Sequence, residues 1–163
     1  LIAEINELCK AVESYMIDTG ENLPLYDITE ANKVVASYGE LVSSTKRGWN
    51  GPYFPEPINV NNASYKHKVY GSASISYFAR SNAWGEEVIP GVDPLFPCGH
   101  AGFIGVCEIY ARIGLVDKNM IIVLDKKIDN SDGGKNGKIK YQYIGSGESN
   151  PTWLLYYKLG VKM

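Results

Sequence analysis

Long hydrophobic runs are missing from this sequence of 163 residues. Its longest non-aromatic apolar stretch, Met120 to Leu124, falls far short of the roughly 20 residues a membrane-spanning helix requires, and no basic-then-apolar signal opens the chain. A large excess of either charge is missing too. A net charge of −2 and a pI near 5.7 withhold the electropositive field on which non-specific nucleic-acid binding depends. Histidine is limited to His67 and His100, two isolated residues that make a poor zinc site. Cys98-Gly99-His100 puts a thiol beside an imidazole, but sequence neighbours seldom converge as a nucleophile and base, and no acidic residue immediately follows to orient the ring. Gly145-Ser146-Gly147 lacks the third glycine and the following helix of a phosphate loop. No repeat and no low-complexity linker divides the chain. These absences argue against an enzyme and for one domain, 1–163, with a single core.

What is present is a patterned beginning. Leu1, Ile5, Leu8, Val12 and Tyr15 or Met16 recur every three or four residues, with Glu4, Asn6, Glu7, Lys10 and Glu13 on other faces. That period predicts an amphipathic helix that Gly20 caps and Pro24 keeps from resuming, ending near Thr19. The first residue is Leu, already in helical register, so the start reads as a cut inside a longer helix. Asp27-Ile-Thr-Glu30 fits a capping box and predicts a second helix to about Val42. The Pro-rich stretch after Ser44 reads as an ordered loop anchored by Trp49 and Tyr53.

Strands are expected at Tyr65–Tyr70, Ser74–Ala79, Met120–Asp125, Lys138–Ile144 and Trp153–Leu159, and a short helix at Cys107–Ile113 ending at Gly114. His67, between Lys66 and Lys68, reads as solvated, and with Tyr65 and Tyr70 these lysines form a small basic and aromatic strand face. Helices first and strands later make an α+β fold.

Three cysteines are present, and Cys98 and Cys107 bracket a short loop. A bridge there closes about ten residues and contributes about 2.7 kcal/mol in the chain-entropy model. It presumes an oxidising compartment, and the alternative is two reduced, buried thiols. Cys9 is left over on the first helix as a small buried hydrophobe.

Taken together, these pieces resemble the periplasmic part of type IV pilin-like proteins, in which a long N-terminal helix packs its amphipathic second half on an antiparallel sheet. LIAEINELCKAVESYMIDTG resembles that half-helix and its glycine exit, so 1–19 correspond to the C-terminal half of the long helix. ENLP, GWNGPYF and NAWG at Asn82 to Gly85 are similar to landmarks of the major pseudopilins of type II secretion, and LDKKIDNSDGGKNGKIKY resembles the late acidic, glycine-rich segment of prepilin-like proteins. The resemblance implies an exported, periplasmic or cell-surface head of an inner-membrane-anchored subunit that assembles with homologous subunits through the first helix, with Glu4 and Glu7 on the subunit-facing side. A minor pilin or adhesin-type subunit that binds DNA or a surface ligand is the alternative.

The resemblance also implies a calcium in the late loop, where Asp125, Asp129 and Asp132 supply the oxygens a hard cation takes. The spacing argues the other way. With Asp129 at the start of an EF-hand, Gly133 falls where an oxygen side chain belongs and Lys140 where the bidentate Glu belongs. The competing reading is a solvated hairpin connection with Gly133, Gly134 and Gly137 at positive φ.

Overall fold

A computed structural model of the protein describes residues 1–26, 35–55, 63–79, 106–133, 137–143 and 153–161. Helix α1, Ile2–Thr19, follows the apolar period of the sequence. It buries Ile5, Leu8, Ala11, Val12, Tyr15 and Met16 and exposes Ala3, Asn6, Glu7, Lys10, Glu13 and Ile17. Gly20 ends it in the left-handed conformation at φ 70°, its N–H donating to the Met16 carbonyl.

Among the described residues, five strands form one sheet: β1 (Ser64–Lys66), β2 (Ser72–Ala79), β3 (Cys107–Val116), β4 (Ile139–Tyr143) and β5 (Trp153–Val161), in the order β1-β2-β3-β5-β4. Every neighbouring pair is antiparallel. A second helix, α2 (Lys118–Asp129), joins β3 to β4. The fold is therefore α+β. Register aligns Ile75 with Ala111 and Ile113 with Leu155, so period-two alternation gathers apolar side chains on one face. That face shares a core with the buried stripe of α1 and with Ile121 and Leu124 of α2. The opposite face carries Phe78, Tyr110, Leu154 and Tyr156 as a second cluster. Beside it, buried Glu108 is paired to Lys158 at 2.6 Å and accepts from the Tyr110 hydroxyl at 2.5 Å.

Three expected elements are corrected. The second helix over Asp27–Val42 is absent from the described part of that span: Val35 and Ala36 form β-bridges to Ser76 and Leu25, and only a 3-10 turn, Tyr38–Leu41, follows. Residues 27–34 lie outside the described residues. The buried positions Val35, Ala36, Tyr38 and Leu41 fit the helical period, yet backbone pairing to β2 takes the first two. The short helix at Cys107–Ile113 is instead β3. Its Ala, Glu and Arg favour helix only weakly, and pairing to strands on both sides overrides that preference.

The strand at Met120–Asp125 is instead the middle of α2. Asp117 caps this helix, its carboxylate accepting the N–H groups of Asn119 and Met120 at 2.8 and 3.2 Å, and Asn130 ends it at φ 58°. Ile121, Leu124 and Asp125 are buried at helical spacing while Ile122 and Val123 are exposed. Among the described residues, no helix is long and apolar enough to cross a membrane.

Candidate functional site

Two places concentrate polar groups that the fold does not simply solvate. The first is the outward face of α1 and the loop beside it. Trp49 Nε1 donates to the Glu40 carbonyl at 3.0 Å, and the Tyr53 hydroxyl donates to Asp18 at 2.8 Å while accepting the Asn50 N–H at 2.7 Å. The two rings meet edge to face with centroids 5.7 Å apart. The expected anchors, Trp49 and Tyr53, thus clamp this loop to the end of α1. Trp153 is a core residue at 5% exposure, and Trp84 lies outside the described residues. Between loop and helix lies a shallow groove of about 350 Å³, with Glu7, Lys10 and Ser14 on one side and Tyr53, Phe54 and Pro55 on the other.

The structure separates Glu4 from Glu7. Glu7 is exposed and lines the groove, whereas Glu4 reaches the Leu1 amino group at 3.1 Å and His67 Nε2 at 3.2 Å. His67 itself is a correction. It is 6% exposed, not solvated, and its Nδ1 accepts the N–H groups of Val69 and Tyr70, both at 3.0 Å. An Nδ1 that accepts twice leaves the ring proton on Nε2, where it points at Glu4. The basic and aromatic face expected here is not built, since Tyr65 is buried with its ring stacked on Tyr38 at 5.0 Å. Strict alternation along Lys66-His67-Lys68 was the available signal that the imidazole turns inward.

The second place is the junction of α2 and β4. Asp125 and Asp129 stand one turn apart on α2. Two successive left-handed residues, Asn130 and Ser131, with Gly133 at φ 81°, fold the chain back so that Asp132 joins them. Each of the three carboxylates brings an oxygen within 4.8 Å of the others. Asp129 accepts the N–H of Ile139, which fixes the start of β4. Gly137 sits at φ 67°, a left-handed conformation that favours glycine, and a Cβ there would lie 2.5 Å from the Asp129 carboxylate. The glycine-rich connection expected between two strands therefore joins a helix to a strand. Gly134 and Asn136 lie outside the described residues.

Asp125 gives this cluster its character. It is 5% exposed, and one oxygen accepts the Gly133 N–H at 3.3 Å while the other, Oδ1, has no partner. Burial pushes its carboxyl up, the Gly133 N–H opposes this, and the like charges of Asp132 and Asp129 push it further. A buried oxygen without a donor, facing two more carboxylates, is costly to keep charged. The all-oxygen donor set suits a hard divalent ion, so these residues fit calcium.

No protein-family model, curated protein or solved structure matches the chain.

The cysteines divide as follows. Cys107, opening β3, takes part in a disulfide, and Cys98 lies outside the described residues. Cys9 is free and half-buried, its sulfur 3.6 Å from a Glu13 carboxylate oxygen and 3.7 Å from the Leu159 carbonyl. Burial, then the Glu13 charge, push its thiol up, which makes it a slow nucleophile. Alkylation of the unreduced, denatured protein is expected to label Cys9 alone, with mass spectrometry reporting Cys98 linked to Cys107. Label on all three thiols would refute the bridge. His100 and the Gly145-Ser146-Gly147 segment also lie outside the described residues.

Proposed function

We propose that this protein is the head of a filament subunit of the type IV pilin and type II secretion pseudopilin kind, assembling through α1, and that it is not an enzyme. The observation that carries the reading is α1 itself. An amphipathic helix opens the chain, buries one stripe in the core shared with an antiparallel sheet, and leaves the opposite stripe to solvent along its whole length. A helix of that kind has one face for its own fold and one for a neighbour. Subunits that meet through such non-identical surfaces propagate without closing, which yields a filament.

The test is charge reversal at Glu7. Because Glu7 is exposed, Glu7→Lys is expected to shift stability by less than about 0.5 kcal/mol. In the protein carrying its hydrophobic half-helix, the same change is expected to block filament assembly, scored by electron microscopy. Normal filaments from Glu7→Lys would remove the α1 face from the interface.

We further propose that Asp125, Asp129 and Asp132 hold a calcium ion. The ion would offset three converging charges and tie the end of α2 to the start of β4, contributing its binding free energy to the fold. Chelation is expected to lower the melting temperature, and Asp132→Asn, which alters the most exposed of the three carboxylates, to abolish that response. The pH dependence follows from the raised Asp125 pKa. A carboxyl whose folded pKa lies above its unfolded value adds stability when protonated and loses it as pH rises through the folded pKa. In chelator, stability is therefore expected to rise as the pH falls through the folded Asp125 pKa, and Asp125→Asn to remove that gain. An unchanged melting curve with and without chelator would leave only the plain turn.

A further inference from the structure

His67 closes a turn with one ring nitrogen and meets α1 with the other. The chain between β1 and β2 folds back so that the His67 N–H donates to the Gly71 carbonyl at 3.1 Å. Inside that turn the amides of Val69 and Tyr70 both end on the imidazole Nδ1. The ring proton therefore sits on Nε2, 3.2 Å from the Glu4 carboxylate. A neutral imidazole has one acceptor, and this turn is built around it.

An imidazolium has no acceptor. A second proton on Nδ1 would point at two N–H groups, so both bonds to the turn would break. Glu4 acts in the opposite sense, because its carboxylate, which also meets the Leu1 amino group at 3.1 Å, favours a charged ring. Tyr65 and Tyr70 face the imidazole as uncharged rings with centroids 6.3 and 4.8 Å away, whereas Lys66 and Lys68 alternate outward and are exposed. From α2 the contact is the uncharged Met120 sulfur, which accepts the Tyr70 hydroxyl at 3.4 Å.

We propose that the β1–β2 turn is a pH-sensitive latch, closed around neutral His67 and released when the ring takes up a proton at Nδ1. That proton and the two amide hydrogen bonds exclude each other, so the open turn is the form that binds it, and acid favours the form that binds more protons. On release the charged ring stays paired with Glu4, while Val69 and Tyr70 lose their acceptor and Tyr70 leaves Met120. Acid thus uncouples the hairpin from α2 and keeps it on α1. The latch requires neither assembly nor a metal, so it goes beyond the filament-subunit reading and does not depend on it.

The experiment is NMR of the isotope-labelled 163-residue protein from about pH 8 to about pH 5, the range in which histidine changes charge. Ring nitrogen shifts report the protons on His67, and hydrogen exchange, corrected for its intrinsic pH dependence, reports opening of the turn. Protection of the Val69 and Tyr70 amides is expected to fall at least about tenfold, the change that one proton bound only by the open turn produces per pH unit. Amides in the middle of β3, which is paired on both sides, are expected to keep theirs. His67→Asn puts an amide oxygen where Nδ1 lies and does not titrate, so it is expected to hold the turn closed across the range. Glu4→Gln removes the charge that favours the imidazolium and is expected to move release to lower pH.

A ring that becomes charged while Val69 and Tyr70 stay protected would overturn the latch, as would a ring that stays neutral throughout. The same loss of protection in His67→Asn would assign the effect to another group. Loss of protection in β3 at the same pH would make it global unfolding. Either result ends the proposal.

Discussion

Replacing Leu8 by alanine is expected to destabilise the fold by about 2–5 kcal/mol, the usual cost of removing a buried leucine and leaving part of its volume empty. Leu8 sits mid-helix at 2% exposure, in the cluster where α1 meets β2, β3 and β5. Its loss removes contacts from both layers at once. Urea denaturation should give a lower midpoint with unchanged slope, because the same surface is exposed on unfolding. Lys10→Ala, on the exposed stripe, should move the midpoint by less than about 0.5 kcal/mol. Equal midpoints for the two variants would mean that α1 is not integral to the core, and the two-faced helix on which the filament reading stands would be lost with it.

Gly48→Ala is expected to cost about 2–4 kcal/mol through two effects that a second variant separates. Gly48 has φ +85°, and a Cβ there would lie 2.2 Å from the carbonyl oxygen of Asp18, a backbone atom with little freedom to retreat. Gly20, at φ +70°, has open space around its missing Cβ, so Gly20→Ala reports the left-handed backbone alone, about 1–2 kcal/mol. The excess at Gly48 measures the clash that an added Cβ makes where the loop lies close against the end of α1. Thermal melts of the two variants compare them directly, and equal losses would show that the loop swings away freely.

The first helix was legible because two signals agreed, apolar residues at helical spacing and a glycine where the left-handed cap falls. In α2 they conflicted. Met120-Ile-Ile-Val-Leu124 is rich in β-branched residues and reads equally as a buried strand, and the cues that decide it, Asp117 and Asn130, flank the run. For β3 the deciding fact is not local at all. Cys107 to Ile113 becomes a strand because β2 and β5 pair on either side of it. The acidic residues were visible as a group, and so was the need for glycine beside them. The orphaned oxygen of Asp125 was not, since its burial depends on a helix where the run itself reads as a strand.

The order of strands has a consequence for how the protein is made. β5 is the last strand in the chain, yet it lies between β3 and β4, and it supplies Trp153 and Leu155 to the core that α1 covers. Until it is synthesised, β4 has no partner in the described sheet and the apolar stripe of α1, made well before it, stays incompletely covered. Contacts spanning nearly the whole sequence, such as Cys9 with Leu159, raise the contact order and slow folding. The nascent chain would therefore carry the apolar stripe of α1 incompletely covered until its last strand emerges, the kind of transiently exposed surface that chaperones shield.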